Sequence, residues 1–396
     1  MRLGKHYLML LACLTTACTT TTTTTTAKSA SAAPDRLLDQ LLKSPGLLAD
    51  PLSLAVVDGR TSTVFRGEEN VSGFNLHSYI AYHEGKFWAI WSQSKVGEED
   101  PDQHIRYASS ADGHTWSKAP TLVADPDGPE GPARWIARGV YVDGGKLTAL
   151  AAYIESAAYG MRGKETVWKN LRLMRFEWDG RAWQDKGMFA DNCMNNFPLE
   201  RLGGTLALVC RDSDMKVGMA LSESPGAWKV TPLEAAPPYD KMDEPTFYAT
   251  SGSEVHMIIR DNSKSGYLLR ALSRDAGKTW TPPVRTNFPD ATSKNYPGKL
   301  RNGWYFLINN PNPKKRDPLA ISFSPDGWQF EKSLAIRKGA PERRFAGRAK
   351  GSGSLQYPHA IEHAGSLWVI YATNKEDIEV TEIPLAKLGL AKLGLE

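Results

Sequence analysis

The stretch Ser273-Arg-Asp-Ala-Gly-Lys-Thr-Trp280 gathers a serine, an acid, a lysine and a threonine within eight residues, which makes it look reactive. Its phase says otherwise, and that phase decides the fold. Degenerate copies stand at "SSADGHTW" (from Ser109), "EWDGRAW" (Glu177), "SPGAW" (Ser224) and "SPDGWQF" (Ser324). Their glycines, Gly113, Gly180, Gly226, Gly277 and Gly327, are 67, 46, 51 and 50 residues apart. In the full copy Ser273 and Asp275 are expected to hydrogen-bond the turn backbone. Gly277 takes a backbone conformation that other residues resist, and Trp280 packs between strands.

A second signal keeps step with the first. A turn followed by a hydrophobic strand recurs as "HEGKFWAIW", "DGGKLTALAAY", "LGGTLALVC", "SGSEVHMII", "RNGWYFLI" and "HAGSLWVIY", at intervals of roughly 50 to 60 residues. From Leu52 to Pro384 the chain is short β-branched or aromatic runs broken by Gly, Asp, Asn and Pro, with no long segment of helical period. Each unit therefore reads as four strands, with the Asp-containing turn joining the third to the fourth. Six such units predict an all-β fold, a single β-propeller of four-stranded blades over residues 51–385. A seventh blade, built partly from residues 52 to 75, is the alternative. In the six-blade version "TSTVFRG", near Thr61, pairs as the outer strand of the last blade and closes the ring.

The rest of the composition sets limits. Of 396 residues 41% are hydrophobic and 23% charged, enough apolar material for a large core. The N-terminus reads as an export signal over residues 1–18, with a basic start, a short apolar run and a lipobox-like cysteine. Cys18 is the expected lipidation site, ahead of Cys13, with an ordinary cleaved signal as the alternative. The chain is thus expected in the periplasm, on the outer membrane as a lipoprotein, or secreted, touching membrane only through that anchor. Residues 19–50 read as a polar linker, and the tail 386–396 carries no assigned role. Cys193 and Cys210 remain after processing, as a disulfide or as two buried thiols. A net charge of +4 does not indicate a nucleic-acid partner. No Cys/His cluster has zinc spacing, no glycine loop resembles a phosphate cradle, and no cofactor is expected, with a structural divalent cation left open.

The Ser-x-Asp-x-Gly-x-Thr-Trp turn is the Asp-box, so the chain resembles the sialidase-like (BNR repeat) propellers. Over residues 74–383 "FNLHSYIAY", "NNFP", "RDNSKSGYLLRALSRDAGKTW", "TNFPDATSK", "NPNPKKRDPLAIS" and "YPHAIEH" look like secreted β-propeller polysaccharide lyases of the ulvan lyase and rhamnose-uronate lyase type. That resemblance implies cleavage of an acidic, uronate-containing polysaccharide by β-elimination. Exo-sialidases carry an Arg-Ile-Pro element near the start of the propeller; the nearest candidate here, "VFRGEE" at Val64, lacks Ile-Pro.

Topology sorts candidate residues. Ligands bind propellers at the top centre, where first strands open and second strands end, while the Asp-boxes lie below. The first-strand openings are His77, Arg134, Arg138, Asn195, Asn196, Asp243, Glu244, Lys294, Tyr296, Tyr357 and His359; the second-strand ends are Gln93, Glu155, Arg211, Arg260, Asp261 and Asn310. Elimination at a uronate needs a cation against the carboxylate, a base for the C5 proton and an acid for the departing oxygen. Arginine's planar fork suits the first role, so Arg211 is assigned to it, assisted by Arg260 or Arg138. His77 is the expected base and Tyr248 or Tyr296 the expected acid, with His359 a candidate for either. Asn195, Asn196, Lys294 and Tyr357 are expected to bind substrate. So are Lys315 and Arg316 of "NPKKRDP", while "IRKGAPERRFAGRAKGSGS" sets six Lys or Arg against one Glu. The alternatives are a sialidase-like exo-glycoside hydrolase and a non-catalytic glycan-binding propeller. In the hydrolase a tyrosine attacks with help from Glu155 or Glu244, and Asp243 or Asp261 acts as acid/base.

Overall fold

A computed structural model describes residues 37–391 apart from positions 99, 101, 125–126, 130, 156–167 and 346–352. The export signal with Cys13 and Cys18, part of the basic 336–354 stretch and residues 392–396 lie outside the described residues.

Six antiparallel four-stranded blades form a propeller, as the repeats predict. Blade 1 runs through Phe74–His83, Lys86–Ser94, His104–Ser110 and Thr121–Val123; blade 2 through Gly131–Asp143, Lys146–Glu155, Lys169–Trp178 and Trp183–Asp191. In blade 3 the inner strand is interrupted between Met194–Asn195 and Glu200–Leu202, around Pro198, which has no N–H to give the ladder. Its other strands are Thr205–Arg211, Val217–Ser222 and Lys229–Pro232. Blade 4 comprises Met242–Ala249, Val255–Asp261, Tyr267–Ser273 and Val284–Pro289; blade 5 comprises Tyr296–Lys299, Tyr305–Asn309, Leu319–Ser324 and Lys332–Arg337. Blade 6 takes Leu355–His363, Ser366–Thr373 and Asp377–Pro384 from the end of the chain and Arg60–Phe65 from its beginning, with Ser62 opposite Val380. The ring is closed by a strand from the other end of the sequence, so no seventh blade is needed.

The second strands are buried runs rather than alternating ones because a neighbouring blade covers each face. In blade 1, Phe87, Ala89 and Trp91 pack with Trp368, Ile370 and Ala372 of blade 6. The intervening Trp88 and Ile90 pack with Ala137, Ala149 and Ala151 of blade 2. One strand thus serves two interfaces through its period of two.

Part of the stretch expected as linker is structural. Leu41, Leu42 and Leu48 are buried against Phe288 and Phe330. The Arg270 guanidinium donates to the Leu37 and Leu38 carbonyls at 2.9 and 2.8 Å, and the Asn287 amide bonds Leu41 and Leu42. Four leucines, at 41, 42, 48 and 54, supply the apolar surface that a solvated linker lacks. Cys193 and Cys210 form a disulfide between the start of blade 3 and its second strand.

All the Asp-box copies occupy third-to-fourth-strand turns. Asp275 accepts from Ser273 Oγ (2.8 Å), Thr279 N (2.8 Å) and Thr279 Oγ1 (2.6 Å). Gly277 sits at φ +86°, and its carbonyl accepts the Trp280 indole N–H at 3.1 Å. Ser273 pairs with Val255, at the start of the second strand, so the box lies at the end opposite Arg260 and Asp261. The turn is structural, and the face above it is the one that gathers polar groups.

Candidate functional site

The inner strands of four blades carry the same irregularity at their upper ends. Pairing slips between Leu76 and Tyr79 in blade 1, Ala137 and Gly139 in blade 2, Asp243 and Thr246 in blade 4, and Gln356 and His359 in blade 6. The residues inside these bulges are His77, Arg138, Glu244 and Tyr357. His77, Glu244 and Tyr357 hold φ of +55°, +42° and +61°, which a non-glycine residue adopts at a cost of about 1–3 kcal/mol. Bulges re-aim side chains, and here they bring four chemically different groups to the top of the ring.

Around them the polar contacts form one connected set. Arg260 Nη1 donates to Glu244 Oε2 at 2.6 Å and to the Tyr357 hydroxyl at 3.2 Å. Burial alone would push the Glu244 carboxyl up, but Arg260, Lys294 and the Tyr357 hydroxyl hold it down to about 2. Tyr357 is driven the other way, by burial first and the Glu244 charge second, so its phenol stays protonated. Arg316 lies 5.6 Å over the Tyr357 ring, bonded to Gln356 and to the Thr292 carbonyl.

On the other side His77 meets the Tyr357 ring edge-on, with centroids 5.3 Å apart. Its Nε2 is 3.8 Å from Glu98, and its Nδ1 has no hydrogen-bond partner among the described residues. Burial, reinforced by Arg138, Lys294, Lys375 and Arg211, keeps its pKa well below the usual histidine value, so the ring is neutral. Glu98 pairs with Lys375. Burial opposes the ionised form, yet Lys375 holds the Glu98 carboxyl below its ordinary value.

Arg138 is fully buried, and its Nε and Nη1 lack partners among the described residues, while Nη2 contacts Met194 Sδ at 2.7 Å. A buried guanidinium with donors to spare is set up to receive an anion. Lys294 donates to the Tyr79 hydroxyl at 2.7 Å and the Asn196 carbonyl at 2.6 Å, over the Tyr79 and Phe197 rings. Burial and Arg138 push its pKa well down.

The expected residues divide accordingly. His77, Arg138, Arg260, Lys294, Arg316 and Tyr357 come together, as does Glu244. Arg211 is beside them but committed: it is paired with Asp243 and stacked 4.5 Å over Trp168. Burial and Arg138 bring it down to about 10, still charged at neutral pH. Asp243 in turn accepts from Asn262 at 2.8 Å, and Asp261 accepts from Ser263, so neither is an unencumbered acid.

Five of the expected residues stand in structural contacts instead. Tyr248, expected as the acid, pairs with His256 at the lower end of blade 4 and donates to the Gly327 carbonyl of the next Asp-box at 2.7 Å. The reason is register: it lies four residues beyond Glu244 along a descending strand. Tyr296 packs against Phe197 and His359. His359 accepts the Ile80 backbone N–H at 3.2 Å, and burial and Lys294 lower it to about 3, which leaves it a positioning group between blades 1 and 6. Asn195 bonds the Arg138 and Phe197 carbonyls, and Asn196 the Pro245 carbonyl, so both tie blades together. Of the basic loops, Lys315 is 3.6 Å from Asp317, Arg337 is paired with Glu379, and Arg344 with Glu376 and Asp377. Three of these charges are thus paired within the protein among the described residues. Glu98 and Lys375, absent from the expected set, lie in second-to-third-strand loops, where the repeat phase does not fix a side chain's place.

Comparisons agree with this architecture. Residues 228–369 match the model of a BNR repeat-like domain. Among solved structures, a sialidase superposes with TM-score 0.63 at 20% identity over 84% of this chain and 33% of its own. A Trypanosoma rangeli sialidase in complex with sialic acid gives TM-score 0.60 at 14% identity over 84% of this chain and 60% of its own. A Dyadobacter fermentans protein of unknown function gives TM-score 0.59 at 14% identity, over 81% and 97%. The chain thus spans about a third and three-fifths of the lengths of the two sialidases. No curated protein matches the sequence. The fold, a six-bladed β-propeller, is the one these sialidases share.

Proposed function

We propose that the upper face is a glycosidase site for a sugar bearing a carboxylate, with sialosides the first class to try. The observation that carries this is the Tyr357–Glu244–Arg260 cluster: a neutral phenol in contact with a carboxylate that stays ionised and with a guanidinium. When a carboxylate sits beside the anomeric carbon, a neutral nucleophile meets less repulsion than an anionic one. Tyr357 Oη attacks that carbon as its proton passes to Glu244, and the glycosidic C–O bond breaks with both electrons leaving on the aglycone oxygen. Glu98, a carboxylate beside His77, protonates that oxygen, and water then releases the sugar from Tyr357. Arg138, with its spare donors, and Arg316 hold the substrate carboxylate. Because Lys375 depresses Glu98, the protonated form that donates is populated at low pH, so the rate should fall as pH rises through that depressed value.

A second reading, elimination on a uronate polysaccharide, is favoured by one feature: the neutral His77, whose free Nδ1 stands among Arg138, Arg211 and Lys375. There His77 takes the C5 proton, Arg138 meets the carboxylate and Tyr357 protonates the departing O4. One pair of assays separates the two. Released sialic acid from sialosides, lost by roughly 10²–10⁴-fold in Tyr357→Phe, supports the glycosidase. Growth of the ultraviolet absorbance of a C4–C5 double bond from ulvan-type polymers, abolished in His77→Ala, overturns it in favour of the lyase.

A further inference from the structure

The lower face carries a second aromatic cleft. It has a volume of about 600 Å³, within the range of small-ligand sites, and is lined by Trp88, Tyr107 and Trp178 with Lys86 and Lys118 at its edge. Trp183 backs it, 5.7 Å from Trp178 and 5.9 Å from Tyr107. Trp88 and Tyr107 lie nearly parallel, at 21° with centroids 6.3 Å apart, and Trp178 tilts against Trp88 at 4.9 Å. The cleft joins the third-to-fourth-strand turns of blades 1 and 2, at the end of the ring opposite Tyr357.

Its origin lies in one degenerate repeat. In the boxes of blades 1 and 4, Trp116 and Trp280 donate their indole N–H to the turn glycine's carbonyl at 3.1 Å. Trp228 and Trp328 likewise have acceptors. Blade 2's "EWDGRAW" has lost the serine and threonine and gained Trp178, and the Trp183 indole N–H has no acceptor among the described residues. Neither has that of Trp88, whose side chain is only 7% exposed. Trp183 is thus the one box tryptophan among the described residues whose indole N–H has no acceptor, and it stands beside a set of aromatic faces and two lysines.

We infer that this cleft binds a pyranose unit of an anionic glycan, apart from the catalytic face. The C–H face of a pyranose stacks on the half-buried rings of Tyr107 and Trp178, and a carboxylate or sulfate on the sugar meets the exposed Lys86 and Lys118. The assignment does not depend on which reaction the upper face performs.

The test reads binding without turnover. Tyr357→Phe protein is run through gels holding alginate, polygalacturonate or a neutral β-glucan, with sedimentation at several concentrations in parallel. Retardation by the two anionic polymers is expected, with Kd weakened about tenfold by Trp178→Ala and by the exposed pair Lys86→Glu/Lys118→Glu. The lysine pair also guards against misfolding, since its thermal midpoint should match the parent's. Retardation that persists in both variants, no retardation by any polymer, or a dimer that these substitutions dissolve would each overturn the inference. In the last case a second copy of the chain, not a glycan, covers the cleft.

Discussion

Glu244 and Arg260 are buried together, and this makes their pairing asymmetric in its consequences. Glu244 is held down to about 2, against roughly 4.3 for an unfolded glutamate. Its folded value is the lower one, so it contributes stability above about pH 4 that is lost as pH falls toward 2. Glu244→Gln should remove that acid-limb dependence. At pH 7 it should also cost about 3–5 kcal/mol in chemical denaturation, because Arg260 is left buried and uncompensated. An unchanged acid limb would mean that the pair is not what shapes it. At this scale the sequence was informative where topology alone sorts residues, as for Glu244, Arg260 and Tyr357 at strand ends. It was silent on Glu98 and Lys375, whose meeting depends on loops from blades 1 and 6 converging. It also misled at Tyr248, since inner strands carry tyrosines at either end, Tyr357 at the upper end of one and Tyr248 at the lower end of another, and only the register tells them apart.

The four-stranded unit explains why structure and chemistry separate so cleanly. Its lower turn is fixed by hydrogen bonds, and in four of the six blades the inner strand is bent by a bulge. Asp275→Ala removes the bonds from Ser273, Lys278 and Thr279 and should cost about 1–3 kcal/mol. Turnover at the opposite end should be unchanged, as urea denaturation beside a short-substrate assay will read. A loss of kcat in the folded variant would contradict the separation of faces. The turns were legible because Asp, Gly and Trp recur at fixed spacing. The bulges were not, because His77, Glu244 and Tyr357 adopt positive φ where glycine would have announced it.

For the whole molecule, closure is the decisive contact. Blade 6 is completed by Arg60–Phe65, and residues 41–54 bury leucines against blades 4 and 5. A chain beginning at residue 67 should lose cooperative thermal unfolding and aggregate through the bared Asp377–Pro384 edge, whereas one beginning at residue 37 should melt like the parent. The same closure sets Tyr357 of blade 6 beside His77 of blade 1 and within reach of Arg260 of blade 4, so the site exists only in the finished ring. The most direct measurement of what that site does is peptide mass spectrometry after incubation with a fluorinated sialoside that slows release of the enzyme-bound sugar. A sugar adduct on Tyr357, absent in Tyr357→Phe, is the expected result. Unmodified Tyr357, together with unsaturated product from a uronate polymer, would contradict the account.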